Sequence, residues 1–313
     1  MVFCWCYFFR LHHVAQFHYF AWGFRHAHNG FMLTIPRFMF PVSVIAVVAL
    51  MLSGCGGDAS HRSQASGLSA AAEATHEVER LGVEVIARHP FDTTSFTQGL
   101  EVTGDKLLVS TGWEGKSRIY HTTVDNVQSN SQDIDRRQFG EGATQVGNVV
   151  WELTWRDGVA YKRDAATLAE LGTAKYAGEG WGLCSFSDVV VMSDGTDELR
   201  FLDPDTFAER SRVKVTLSGT PASELNELDC VTGDNGQRLV YSNVFLSTDI
   251  YRIDADSGKV TGIIDASTVP NNAASDPNNV LNGIAHIPGS DRFYVTGKRW
   301  PDLYEVRFVK PTS

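Results

Sequence analysis

The sequence predicts an all-β domain, a five-bladed β-propeller that extends from about residue 83 to the end of the chain. Three observations support this prediction. One three-strand plan recurs five times, its openings are spaced 40 to 56 residues apart, and its strands are short, β-branched and aromatic. A repeat of this length is typical of four-stranded propeller blades. A β-sandwich is the alternative that such strands alone would also allow.

Each repeat opens with a turn motif that contains glycine or asparagine, and an inner strand follows it. The openings occupy residues 96–100, 139–143, 179–183, 226–230 and 281–285. The second strands are predicted at 107–110, 150–154, 189–192, 239–242 and 293–296. The third strands are predicted at 118–120, 159–161, 199–201, 249–253 and 303–306.

The fourth strand of each repeat is predicted just before the next opening. After Val309 the chain is too short to supply one for the last repeat. The segment 83–87 lies before the first opening, and this N-terminal strand is predicted to close the last blade, which would hide both edges. Residues 266–280 are an insertion in the fourth repeat. We interpret them as a surface loop, with a lid or a specificity loop as the alternative.

The residues before the domain have the features of an export signal. Residues 1–31 are rich in aromatic residues and histidine and precede a better start at Met32, so they are predicted to be a mis-assigned leader. Residues 32–54 are predicted to be a lipoprotein signal peptide, since a basic residue, an apolar run and small residues follow one another there. Residues 55–82 lack apolar periodicity and are predicted to be a flexible tether.

The end of the signal, Leu52-Ser53-Gly54-Cys55, resembles a bacterial lipobox, in which Cys55 becomes the lipid-modified first residue. An ordinary signal and an uncleaved anchor helix are the alternatives. The protein is therefore expected to be exported, as a cell-envelope lipoprotein that is anchored to a membrane and faces the periplasm. The lipid is expected to be its only contact with the membrane.

The charge balance of the chain excludes some partners. The 27 basic and 37 acidic residues give a net charge of −10, and without the three basic residues of 1–54 the balance is −13. An acidic domain disfavours nucleic acid and anionic membrane surfaces as partners, whereas cationic peptides are tolerated. The protein is expected to be a monomer.

Two cysteines lie within the predicted domain, Cys184 and Cys230. An oxidising compartment permits a disulfide between them, and two separate buried thiols are the alternative. The histidines of the mature chain are scattered along the sequence, which argues against a zinc site because zinc needs about four clustered ligands.

In a propeller, the openings of the inner strands meet at one end of the central channel. The polar and aromatic side chains expected to converge there are Gln98, Glu141, Trp181, Asn226, Glu227 and Asn282. Glu141 is bracketed by Gly140 and Gly142, which permit a close approach of the backbone. Desolvation among aromatic rings would raise the pKa of Glu141 and suit it to proton transfer. A glutamate in a water-exposed turn is the alternative.

Eight motifs occur in order between about residues 83 and 308: FTQGL, FGEG, LTW, EGWGL, SDGT, NEL, LNGIA and TGKxWP. In this arrangement the chain resembles the plant and bacterial glutaminyl cyclases. The resemblance implies a five-bladed propeller that converts the N-terminal glutamine of peptides or proteins to pyroglutamate with release of ammonia. It also implies an enzyme that is not zinc-dependent and that requires no cofactor. Some relatives bind a structural calcium ion, for which no ligands can be assigned in this sequence.

The resemblance assigns roles to individual residues. Glu141 is expected to be the catalytic proton shuttle. The substrate-binding residues are expected to be Phe96, Gln98, Phe139, Trp155, Trp181, Asn226, Phe245, Lys298 and Asn282. Core packing is the alternative role for the two tryptophans, and Asn282 could instead shape its turn.

Three positions depart from the family pattern. Phe245 replaces a tryptophan and so loses an indole N–H donor. Glu152 replaces a glutamine and is expected to add a carboxyl near the site. Glu114 occupies a position where the family carries tyrosine.

Two other functions are compatible with the predicted fold. A non-catalytic envelope propeller could bind peptides or act as a scaffold through the same pocket. A calcium-dependent lactonase-type propeller would need a cluster such as Glu141, Asn226 and Asp194 on the metal.

Overall fold

The computed structural model describes residues 77–311. The predicted leader, the signal peptide, the lipidation site at Cys55 and the tether up to residue 76 lie outside the described residues. Within the described part there is no helix with the length and apolar character needed to span a bilayer.

All regular elements in residues 77–311 are β-strands, which confirms the all-β prediction. The strands are β1 (Glu79–Pro90), β2 (Thr97–Thr103), β3 (Lys106–Thr111), β4 (Arg118–Thr122), β5 (Gln128–Asp133), β6 (Gly140–Val146), β7 (Val149–Thr154), β8 (Val159–Asp164), β9 (Glu170–Lys175), β10 (Leu183–Phe186), β11 (Val189–Met192), β12 (Glu198–Leu202), β13 (Glu209–Lys214), β14 (Thr216–Leu217), β15 (Thr220–Pro221), β16 (Leu225–Thr232), β17 (Arg238–Val244), β18 (Asp249–Asp254), β19 (Val260–Asp265), β20 (Leu281–His286), β21 (Arg292–Gly297) and β22 (Asp302–Val309). Every second and third strand predicted from the repeats lies within one of these elements.

Most of the strand pairs are antiparallel, and in the smaller sheets the strands follow one another in chain order. Strands β2 to β5, β6 to β9 and β10 to β13 make three separate four-stranded sheets. An eight-stranded sheet has the order β16-β17-β18-β19-β1-β22-β21-β20, and β14 and β15 form a small two-stranded sheet. The eight-stranded sheet thus contains two runs of four strands, β16 to β19 and β20 to β22 with β1.

Strand β1 joins these two runs. It pairs antiparallel with β22, where Val83 lies opposite Phe308, as predicted for a closing N-terminal strand. It also pairs in parallel with β19, where Glu79 lies opposite Gly262. The strand therefore begins at Glu79, four residues before the predicted boundary at Val83. The polar residues 79 and 80 resemble a tether in sequence, but backbone pairing at this edge recruits them into the sheet.

The first strands of the four-strand runs lie next to one another. Contacts join β2 to β6, β6 to β10, β10 to β16, β16 to β20, and β20 back to β2. Apolar side chains fill the space between neighbouring sheets, and one such cluster contains Val191, Leu199, Val240 and Ile253. The openings that precede these inner strands are consequently brought to a common region.

Cys184 on β10 and Cys230 on β16 form a disulfide with a Cα–Cα distance of 5.3 Å. Of the two alternatives that the sequence allowed, the disulfide is therefore the one found. It links two inner strands that belong to different sheets.

Candidate active site

Glu141 is the second residue of β6, and its side chain is 4% exposed. The glycines on either side allow this burial. A Cβ atom on Gly140 would lie 2.6 Å from the carbonyl oxygen of Thr111, and one on Gly142 would lie 2.5 Å from the backbone nitrogen of Leu183. The backbone is thus packed too closely for any other residue, and the alternative of a water-exposed turn glutamate is wrong.

The surroundings of Glu141 favour its protonated form. Burial raises the pKa of the carboxyl well above its usual range, and the nearby negative charge of Glu179 acts in the same direction. The positive charge of Lys298 and a hydrogen bond with the side chain of Gln98 lower the pKa, but burial is the larger effect. A raised pKa makes a carboxyl better suited to accept and return a proton than one in water.

Gln98 is held in place by Asn282. The Nδ2 atom of Asn282 donates to the Oε1 atom of Gln98 at 3.1 Å and to the backbone oxygen of Thr97 at 2.9 Å. Since the amide oxygen of Gln98 is occupied, its NH₂ group is the part that is left to donate to Glu141. Asn282 is fully buried and acts on Glu141 through Gln98, while the bond to Thr97 also fixes the start of β2.

One side of the site is a row of aromatic rings. The ring centroid of Phe96 lies 6.0 Å from that of Phe139, and Phe139 lies 5.7 Å from Trp155, both in edge-to-face geometry. Aromatic pairs prefer this geometry over a face-to-face stack. The three rings come from the segments before β2, before β6 and after β7.

Glu179 connects the last ring of this row, Trp155, to Trp181. Its Oε2 atom accepts the indole N–H of Trp155 at 2.8 Å and that of Trp181 at 3.1 Å, while its Oε1 atom accepts Nε of Arg156 at 2.9 Å. The guanidinium of Arg156 also lies over the Trp155 ring at 3.5 Å. One carboxylate therefore orients two tryptophans, which come from different repeats.

Phe245 and Lys298 connect Trp181 back to Phe96. The ring of Phe245 lies 5.3 Å from that of Trp181. The Nζ atom of Lys298 lies 5.4 Å from the Phe245 centroid and 4.9 Å from the Phe96 centroid. The contacts thus return to Phe96, where the first row began. We call this closed set the aromatic pocket, which consists of Phe96, Phe139, Trp155, Trp181, Phe245 and Lys298.

Lys298 is only 5% exposed. Burial lowers its pKa to about 8, and the negative charge of Glu141 opposes that shift. The Lys298 ammonium group and the Glu141 carboxyl are therefore coupled across the pocket.

Asn226 and Glu227 are neighbours on β16 with different surroundings. The backbone oxygen of Asn226 accepts Ser193 Oγ at 2.6 Å, and within the described residues its side-chain amide has no hydrogen-bond partner. The carboxylate of Glu227 accepts the backbone N–H groups of Leu100 at 3.1 Å and Ile284 at 2.8 Å. The Glu227 carboxylate thus lies among the inner strands, where its bonds go to the backbones of β2 and β20. Asn226 keeps its amide available.

A comparison with known proteins supplies the family. The family model described as glutamine cyclotransferase matches residues 59–308. The chain belongs to the glutamine cyclotransferase family. A glutaminyl-peptide cyclotransferase of Arabidopsis thaliana is 32% identical over 237 residues, which cover 74% of this chain and 72% of the plant protein. The crystal structure of Myxococcus xanthus glutaminyl cyclase is 34% identical, with a TM-score of 0.70, and covers 75% of this chain and 100% of that chain.

Two carboxylates that entered the sequence interpretation lie in other surroundings. Glu152 is fully buried and its Oε2 atom accepts Nε of Arg163 at 2.7 Å, so its carboxyl pairs with that residue rather than joining the aromatic pocket. Burial raises the pKa of Glu152 to about 7 against the effect of Arg163. Asp194 accepts the backbone N–H of Thr196 at 3.2 Å.

The described residues contain no group of three His, Cys, Asp or Glu side chains arranged to hold a metal ion.

Three residues of the site region were not singled out by the sequence. Glu179 stands in the motif EGWGL, but its contacts with two tryptophans are visible only in three dimensions. Trp113 and Arg299 lie beside Phe96, with Arg299 at the variable position of TGKxWP.

A cavity of about 360 Å³ lies elsewhere, between β1, β17, β21 and β22. Tyr241, Phe293 and Phe308 line it together with Arg252. It contains none of the predicted site residues.

Proposed function

We propose that this protein is a glutaminyl-peptide cyclotransferase, which converts the N-terminal glutamine of peptides or proteins to pyroglutamate and releases ammonia. The observation that carries the proposal is the position of Glu141. Its buried carboxyl, with a raised pKa, is coupled to Lys298 and Glu179, which belong to the closed ring of contacts around the aromatic pocket. Family membership supports the same reaction, because the relatives are described as glutaminyl cyclases.

The pocket suits the shape that a glutamine must adopt. Ring closure requires the side-chain amide carbon to fold back toward the α-amino nitrogen of the same residue. Aromatic walls exclude water and restrict the side chain to a compact conformation, and such orientation can lower a barrier by several kcal/mol. The rings of Trp155 and Trp181 are themselves fixed by Glu179, so the walls are set before substrate binds.

Glu141 moves one proton in two steps. The α-amino nitrogen attacks the side-chain amide carbon, a new C–N bond forms, and Glu141 accepts the proton that the attacking nitrogen gives up. Glu141 then donates this proton to the amide nitrogen, the original C–N bond breaks, and ammonia leaves. The carboxylate is regenerated and no net proton is consumed.

The other polar residues assist this transfer. The side-chain amide of Asn226, which has no protein partner in residues 77–311, donates to the substrate amide oxygen and stabilises the negative charge that develops there. Gln98, oriented by Asn282, holds the Glu141 carboxyl in position. The positive charge of Lys298 favours the ionised form of Glu141, which is the form that acts as a base.

We infer that the fold is the five-bladed propeller expected from the repeats. This inference is supported by the inner strands, which contact one another in a closed order of five, and by the four-strand runs to which they belong. It is also supported by the pairing of β1 with β22.

The remaining parts of the proposal come from the sequence. They are export as a lipoprotein through the signal at 32–54, a lipid on Cys55, a periplasm-facing location, a monomeric state and catalysis without zinc or another cofactor. Mass spectrometry of the native N-terminus tests the first two, since a lipid-modified N-terminal Cys55 is expected. A peptide from residues 1–31 would contradict the predicted start at Met32.

One experiment tests the reaction. The purified protein is incubated with a peptide that begins with glutamine, with and without a chelator, and the loss of one ammonia is followed by mass. Glu141→Gln is expected to lower kcat at least about a hundredfold while substrate still binds. Glu170→Gln, an exposed glutamate on β9, is the matched control.

Three outcomes would contradict the proposal. No ammonia in either arm would favour the peptide-binding or scaffold alternative. Lactone hydrolysis that a chelator abolishes would favour the lactonase alternative. Full activity in Glu141→Gln would assign the proton transfer to another group.

A further inference from the structure

An exposed tryptophan stands at the rim of the aromatic pocket. The ring of Trp113, on the loop between β3 and β4, lies 5.2 Å from that of Phe96 at an interplanar angle of 66°. Phe96 is a pocket wall and only 7% exposed, whereas Trp113 is 39% exposed. An aromatic surface therefore continues from the inside of the pocket to the solvent.

Arg299 supports the ring of Trp113. Its guanidinium carbon lies 4.5 Å from the Trp113 centroid and 4.9 Å from the Phe96 centroid. The cation thus lies over the rings of both aromatic residues. Cation–π contact of this kind fixes an aromatic ring that would otherwise be free to rotate.

Both partners have an unusual backbone. Trp113 has a φ of 101° and Arg299 has a φ of 58°, values that favour glycine and are costly for residues with a Cβ atom. Non-glycine residues held in this region are concentrated at ligand clamps and active sites. Two such residues in contact with each other, next to the pocket, indicate a surface that is held in shape for binding.

Hydrogen bonds hold the loop of Trp113 against the strand of Glu141. The backbone oxygen of Trp113 accepts Lys116 N and Ser117 Oγ, each at 2.9 Å. Ser117 Oγ in turn accepts the backbone N–H of Gly140 at 3.0 Å. The position of Trp113 is therefore fixed relative to the catalytic residue, without help from substrate.

The insertion 266–280 supports Arg299. The Nη1 atom of Arg299 lies 3.4 Å from Oδ2 of Asp276 and 3.3 Å from Oδ1 of Asn279. Its backbone N–H donates to the oxygen of Ser95 at 2.7 Å. The charge of Arg299 is thus balanced by Asp276, so the rim offers an aromatic surface rather than a free cation.

We propose that Trp113, backed by Arg299, forms the binding subsite for the second residue of the substrate peptide and favours an aromatic side chain there. The inference rests on the proposed function and names its preferred substrates. The α-amine and the side chain of the N-terminal glutamine are consumed inside the pocket, so the chain must leave through its carbonyl. The side chain of the second peptide residue then lies at the rim of the pocket, beside the exposed ring of Trp113.

The test compares kcat/KM for three peptides that differ only at the second position: Gln-Phe, Gln-Leu and Gln-Gly, each followed by the same tail. The wild-type protein is expected to prefer Gln-Phe to Gln-Gly by about fivefold to tenfold, mainly through a lower KM, as aromatic contacts of this kind imply. Trp113→Ala is expected to bring the ratio to about one. Trp113→Phe is expected to retain most of the preference.

Two further variants separate binding from folding. Trp113→Gly removes the same ring but accepts the positive φ, so it folds even if Trp113→Ala does not, and the same loss of preference is expected. Leu171→Ala removes an exposed apolar side chain from β9, the strand at the opposite edge of its sheet from the inner strand β6, and is expected to keep the wild-type ratio.

The outcomes distinguish the inference from the reaction on which it rests. Ammonia release with no preference in the wild-type protein, or a preference that survives both Trp113→Ala and Trp113→Gly, overturns the subsite and leaves the reaction standing. No ammonia from any of the three peptides overturns both.

Discussion

The buried ammonium group of Lys298 and the buried carboxyl of Glu141 each oppose the effect of burial on the other. Burial raises the pKa of Glu141, and the positive charge of Lys298 lowers it. Burial lowers the pKa of Lys298 to about 8, and the negative charge of Glu141 raises it. The pH range in which the carboxylate and the ammonium coexist therefore depends on both residues.

Removal of Lys298 is expected to narrow this range. In Lys298→Met the desolvation of Glu141 is opposed only by the hydrogen bond with Gln98, so the pKa of Glu141 rises and a smaller fraction of the carboxyl is ionised. The acid limb of the kcat/KM profile is expected to move to higher pH by about one unit or more. Lys298→Arg, which keeps the charge, is the control. A profile that does not move in Lys298→Met would show that the two charges are not coupled.

Replacement of Glu179 is expected to free the side chains of two tryptophans of the aromatic pocket. In Glu179→Ala the indole N–H groups of Trp155 and Trp181 lose their shared acceptor, and misplaced walls are expected to lower kcat/KM on the order of tenfold. Glu179→Gln keeps one carbonyl acceptor and is expected to recover part of the activity. Indole fluorescence reports the same change. Equal activity in Glu179→Ala and the wild-type protein would contradict the role.

Asp229 is expected to make the fold less stable as the pH rises. Its Oδ2 atom accepts the backbone N–H of His286 at 2.7 Å, and burial raises its pKa to about 7. Since the unfolded residue ionises near pH 4, the unfolded state loses its proton first, and stability is lost as the pH rises from about 4 through about 7.

Asp229→Asn keeps an oxygen acceptor and does not ionise. Its Tm is therefore expected to fall less than that of the wild-type protein between about pH 5 and pH 8. Asp234→Asn, at an exposed position, is the control and is expected to follow the wild-type curve. Parallel curves for Asp229→Asn and the wild type would contradict the raised pKa.

The Cys184–Cys230 disulfide is expected to stabilise the domain. The cysteines are 46 residues apart, and the entropy of closing a loop of that size corresponds to about 4 kcal/mol of unfolding free energy. Urea unfolding is therefore expected at lower urea concentration after reduction. Cys184→Ala combined with Cys230→Ala is expected to match the reduced protein and to be insensitive to reductant. An unchanged midpoint on reduction would argue against stabilisation by the bridge.

The sequence predicted most of the strands because residues close to each strand determine where it begins and ends. Glycine, asparagine and aspartate end the short β-branched runs, and each predicted second and third strand lies within an observed one. The start of β1 was placed too late, because Glu79 and Arg80 join the sheet through backbone pairing with β19, which no local pattern records.

The site was predictable where a residue sits in a motif and was missed where its function depends on a partner. Glu141 and Phe96 were identified through the motifs FGEG and FTQGL. The contact of Glu179 with Trp155 joins two repeats, so no local spacing reveals it. Glu152 was misplaced for the same reason, since its partner Arg163 stands on the adjacent strand.

The pairing of β1 with β22 constrains the order of folding. Arg88 and Asp302, which lie on these two strands, are bonded across 214 positions of the chain. The sheet order therefore cannot be completed until the last strand has been synthesised, and contacts of such long sequence separation slow folding. The same proximity of the two ends makes a circular permutant feasible. Linking Val309 to Glu79 and opening the chain between β9 and β10 would make the pairing of β1 with β22 local in sequence.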